Sequence, residues 1–102
     1  MTISIIGGLD RLKRHYEDAL KEKGHKMKLL SQNKRQFYNY LSNVNGIIIF
    51  TNEVSHNAMW CAIKYAKTLN IPVARSHSSS ISGLKKSINK IEDVYFCKKK
   101  LS

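Results

Sequence analysis

Short runs of apolar, largely β-branched residues recur four times along this chain, and residues spaced as on an amphipathic helix follow each one. "ISII" (residues 3–6) stops at Gly7 and Gly8, as a buried parallel strand stops at a turn. Over residues 10–23, Leu12, Tyr16, Ala19 and Leu20 share one helical face, the opposite face is charged, and Gly24 stands at the stop position. "HKMKLL" (25–30) reads as a second strand. Its Lys26 and Lys28 alternate with Met27 and Leu29, the pattern of an edge strand with one wet face. "RQFYNYLSNV" (35–44) reads as a short second helix, and the uniformly apolar "GIIIF" (46–50) as a strand covered on both faces. Residues 55–69 place Ala58, Met59, Ala62, Ile63, Ala66 and Leu69 on one face of a third helix, whose alanines allow close approach to a sheet. "IPVAR" (71–75) gives a fourth strand with Pro72 at its start, and Ile81, Leu84, Ile88 and Ile91 mark a fourth helix. "VYFC" (94–97) reads as a last edge strand.

This alternation predicts an α/β fold: a small, open, mostly parallel sheet with right-handed crossovers and helices on both faces. The simplest strand order is 2-1-3-4, with "VYFC" as a fifth strand at an edge. A chain of 102 residues suits a single domain, here residues 1–97, with 98–102 as a basic tail. Its 42% hydrophobic and 25% charged residues fit a packed globular chain rather than a disordered one. "MTISIIGG" lacks the layout of a signal peptide and no apolar run reaches spanning length, so the expectation is a cytoplasmic protein with no membrane partner. Cys61 and Cys97 are too few and too far apart for a disulfide framework or a zinc site, and read as reduced thiols, one of them buried.

Eighteen Lys and Arg against seven Asp and Glu give a net charge of +11, so the surface attracts anions: nucleic acid, nucleotides, phosphorylated metabolites or acidic protein surfaces. In an open parallel sheet, ligands bind beyond the carboxyl ends of the strands, at the switch point between strands 1 and 3. "GGLD", "LSQNK", "FTNEVSHN" and "RSHSSS" belong at that edge, whereas "KEKGHK", "SNVNG" and "LNI" are connectors at the other. Gly7 and Gly8 allow a backbone to approach a ligand, yet fall short of GxGxxG and serve equally as a tight turn. Thr51, Ser55 and His56 stand at the start of the third helix. Ser55 suits a cap; His56 is a phosphate donor, an acid or base, a metal or haem ligand, or simply structural.

"RSHSSS" carries the strongest signal. It offers a cation from Arg75, a donor from His77 and hydroxyls from Ser78, Ser79 and Ser80, all at a helix N-terminus whose dipole favours negative charge. One serine is enough for a cap, so the surplus hydroxyls point to phosphate. A hydrolytic triad lacks its acid, since Asp10 and Glu53 are the only carboxylates expected nearby, and two histidines do not make a closed metal site. No catalytic or metal residue is therefore assigned, and no cofactor is identified. His15 and His25 read as surface residues. Trp60, with Lys64 and Lys67 on the face away from the alanines, reads as the contact of a homodimer or as a platform for a base.

"SIIGGLDR", "IIIFTNEVSH" and "ARSHSSSISGL" together resemble a family of small bacterial proteins, common in Firmicutes and known as a domain of unknown function. The resemblance covers roughly residues 3–90 in the same order. It implies a Rossmann-like fold and brings no activity with it. The matching positions are Gly7, Gly8, Ser55, His56, Arg75, His77, Ser78 and Ser79; relatives often have His or Arg after the paired glycines, where this chain has Leu9 and Asp10.

The function expected is a binding module that senses or sequesters a phosphorylated small molecule, a nucleotide or nucleotide-derived signal. Gly7, Gly8, Thr51, Ser55, His56, Arg75, His77, Ser78, Ser79 and Ser80 would hold it. The alternatives are nucleic-acid binding through the basic surface, phosphoester cleavage, and haem or metal ligation through His56 or His77.

Overall fold

The protein is represented by a computed structural model that describes residues 1–7, 10–30, 44–52, 54 and 56–101, with the backbone alone at residues 10, 29, 30, 56, 58 and 96–101. In chain order the elements are β1 (Thr2–Ile6), α1 (Lys13–Glu22), β2 (Lys26–Leu30), β3 (Gly46–Phe50), α2 (His56–Leu69), β4 (Val73–Ser76) and α3 (Ile81–Leu101). A 3-10 turn, Asp10–Leu12, leads into α1. The strands form one parallel sheet in the order β2-β1-β3-β4, the order that the alternation predicts. Across its middle Ile5 lies opposite Leu29 on one side and Ile48 on the other, and Ile48 lies opposite Ala74.

Alternation along the strands divides their side chains between two cores. Ile3, Ile5, Ile48, Phe50 and Ala74 pack against Tyr16 and Leu20 of α1 and Leu84, Ile88 and Ile91 of α3. Ile6, Ile47 and Ile49 face the other way, against Ala62 and Ala66 of α2. Strand β3 is buried along all five residues, because helices cover it on both faces and a strand lies on each side.

Two helices end in the same device. Gly24, at φ 77°, donates its N–H to Lys21 O at 2.9 Å while His25 N–H reaches Leu20 O at 2.9 Å; these are the paired bonds of a Schellman turn. Asn70, at φ 61°, donates to Lys67 O at 3.3 Å and Ile71 N–H to Ala66 O at 2.8 Å, so α2 closes identically with Asn in the glycine position. This turn packs the residue after the glycine against the end of the helix, which corrects the surface reading of His25. Its side chain is only 7% exposed, with Nε2 3.4 Å from Glu92 Oε2 and Nδ1 3.3 Å from the Met1 amino nitrogen. His15 is exposed, as read.

Two other expectations change. "VYFC" is not a strand: residues 94–97 continue α3, which runs on through the stretch read as a basic tail. Its β-branched and aromatic residues favour a strand, but a helix already anchored by Leu84, Ile88 and Ile91 carries the chain onward, and context overrides so weak a preference. Strand β4 begins after Pro72 and extends to Ser76. Cys61, inside the helical pattern of α2, is exposed and free. The second helix expected over 35–44 falls almost entirely outside the described residues.

Gly46 shows how closely α3 lies on the sheet. A Cβ built there would stand 2.5 Å from Ile91 Cγ2, and Ile91 is buried. Gly46→Ala should therefore destabilise the fold by about 1–3 kcal/mol, the usual cost of overpacking a filled core. Urea unfolding tests this, and an unchanged midpoint would mean that α3 has room to move away.

Candidate functional site

At the carboxyl edge, β3 and β4 are tied together one residue beyond their ladder. Thr51 N–H donates to Ser76 O at 2.9 Å, and Thr51 Oγ1 donates to the same carbonyl at 3.3 Å. Thr51 Oγ1 also lies 3.2 Å from His77 Nδ1. The contact orients the ring through Nδ1 and leaves Nε2 of the exposed His77 without a partner among the described residues.

The serines that follow divide in function. Ser80 is the N-cap of α3, its Oγ accepting from Gly83 N–H at 3.2 Å while its carbonyl takes Leu84 N–H at 3.1 Å. Ser79 is 6% exposed; its Oγ donates to Asn52 Oδ1 at 3.2 Å, and its carbonyl accepts from Tyr16 OH. Ser78 is exposed, with Oγ accepting from Ser80 N–H at 3.3 Å and its carbonyl from Ser76 Oγ at 2.8 Å. Ser79 Oγ is thus held inside the turn, whereas Ser78 and Ser80 are exposed, and each of their hydroxyls, accepting one backbone N–H, keeps its own proton for a further bond. The Ile81 and Ser82 N–H groups of the first turn have no partner among the described residues, as expected of a helix start.

Arg75 is exposed on edge strand β4 in register with Ile49, on the side covered by α2, and forms no ion pair among the described residues. Gly7, at φ 84° and half-buried, turns the chain at the end of β1, next to β3 in the sheet. Gly8 and Ser55 lie outside the described residues. His56 opens α2, with only its backbone described. No carboxylate bonds to His77 among the described residues.

Four residues were not singled out from the sequence. Tyr16 counted only as part of an apolar helical face, yet its hydroxyl crosses from α1 to hold Ser79 O while its ring lies 5.3 Å from that of Phe50. Asn52 and Ser76 organise the turn through their side chains. Gly83 lacks room for a Cβ, which would stand 2.7 Å from Ser76 Oγ and 2.8 Å from Ser78 O. Its signal was legible, since a glycine in the first turn of a predicted helix costs about 1 kcal/mol against alanine and calls for a packing reason.

Tyr16→Phe keeps the ring and strands a buried carbonyl, so it should lower stability by about 1–3 kcal/mol. Hydrogen exchange should quicken at residues 76–82 before it does in the strands; uniform exchange would show that the hydroxyl does not hold the turn.

A family model described as an uncharacterised protein conserved in bacteria (DUF2325) matches residues 2–91, so the chain belongs to that family. No curated protein and no solved structure matches the chain.

Proposed function

We propose that this member of the family is a cytoplasmic binding module for a phosphorylated small molecule, a nucleotide or nucleotide-derived signal, held at the carboxyl ends of β3 and β4. The observation that carries the reading is the Thr51–His77 contact, which orients an exposed imidazole beside the first turn of α3. A phosphate there meets His77 Nε2, Ser78 Oγ and the Ile81 and Ser82 N–H groups, with Arg75 supplying charge from the strand edge. Ser79 and Ser80 contribute by shaping the turn. Gly7, Gly8, Ser55 and His56 belong to the adjoining loops, where the rest of the ligand would lie.

Calorimetric titration with nucleoside mono-, di- and triphosphates and cyclic nucleotides tests the proposal. His77→Ala and Arg75→Ala should each weaken binding about tenfold, since a bond to a charged group contributes about 1.5–3 kcal/mol. Failure of the wild-type protein to bind any member of the panel would end the reading.

The same proposal includes a homodimer formed through α2, where Trp60 is 58% exposed, one turn before Lys64 on the same face. Sedimentation should find a dimer that Trp60→Glu dissociates; a wild-type monomer at every concentration would remove this part.

A further inference from the structure

The cations of this chain are not spread evenly along its helices. Helices α1 and α3 lie on the same face of the sheet, and the Tyr16 hydroxyl joins the first turn of α1 to the turn that opens α3. Their opening turns therefore meet at the carboxyl edge. Arg11, Lys13 and Arg14 are exposed at the start of α1, and Lys85 and Lys86 are exposed in the second turn of α3. Neither first turn contains an acidic residue.

Carboxylates come later in both helices, and the first of each is engaged there. Glu17, the first in α1, lies 3.8 Å from Lys21; Glu92, the first in α3, lies 3.4 Å from Lys23 and 3.4 Å from His25. None of the five opening cations has an ion pair among the described residues. Lys13 and Arg14 face the positive end of the α1 dipole, and like charges gathered at one edge of the sheet repel. The arrangement costs stability in the free protein, and a polyanion laid across both helix starts would relieve it.

We infer that the paired openings of α1 and α3 form a binding surface for the phosphate backbone of duplex nucleic acid. Among the described residues no exposed Phe, Tyr or Trp stands beside the five cations, and the exposed ring there is the small imidazole of His15. Among the described residues the large exposed apolar ones are Trp60, Leu69 and Val94, on α2 and in the distal part of α3, and none of them stands beside the five cations as a membrane anchor would. Recognition is therefore through charge alone and indifferent to base sequence. The surface uses none of the side chains assigned to the small ligand, and either reading can fail without the other.

Fluorescence anisotropy with a labelled random-sequence duplex, at salt from 50 to 200 mM, tests the inference. With about four phosphate contacts, affinity should fall about a hundredfold across that range. The pair Arg14→Glu with Lys86→Glu should weaken binding at least tenfold at low salt, and lower the salt slope by about 2. Lys21→Glu with Lys26→Glu makes the same change of net charge at the end of α1 and the start of β2, and should change affinity less than threefold. The milder pair Arg14→Gln with Lys86→Gln repeats the test without new carboxylates, and thermal melts establish that every variant is folded. Equal losses from the two reversal pairs would show attraction to net charge alone and overturn the inference. So would absence of duplex binding at 50 mM salt, or binding to phosphatidylserine vesicles in its place.

Discussion

Strand β3 is the constraint on which the rest of the structure depends. It is buried from Gly46 to Phe50, pairs with β1 on one side and β4 on the other, and carries helices on both faces. Its carboxyl end therefore has little freedom. Thr51, the next residue, is held at that end by its N–H and hydroxyl bonds to Ser76 O, and it holds His77 in turn. The orientation of the candidate ligand-binding histidine thus follows from the packing of "GIIIF" through two hydrogen-bonded steps.

The turn between β4 and α3 is fixed from below as well. Tyr16 reaches it from α1, Asn52 from the end of β3, and Gly83 lets its backbone approach the helix. These contacts explain why a loop with four serines in five positions is ordered enough to present a site. They also show that a hydroxyl in a serine-rich turn is as often part of the scaffold as of the surface offered to a ligand.

The layout of the fold was legible in the sequence because the two hydrophobic periods differ so clearly. "GIIIF" and "ISII" have no polar face to mistake, and the alanines of α2 announce a helix lying close on a sheet. "VYFC" misled because local preference for a strand says nothing of the helix that precedes it. His25 misled because the Schellman turn brings it back against the helix end, where Glu92 and the Met1 amino group lie beside its ring. For the site, the pattern placed Gly7, Thr51 and residues 75–80 at one edge of the sheet, where the strand ends put them; "LSQNK" lies outside the described residues beyond Leu30. It did not separate Ser79 from Ser78 and Ser80, since which hydroxyl turns inward depends on a bond to Asn52.

The account rests on one claim, that a phosphorylated ligand sits at the joined ends of β3 and β4. Its most direct test is a titration of isotope-labelled protein with nucleoside mono-, di- and triphosphates, followed by amide NMR. Saturable shifts centred on Thr51 and residues 76–82, and lost in His77→Ala, are the predicted result. Saturable shifts confined to other parts of the molecule, or unchanged in that variant, would contradict it.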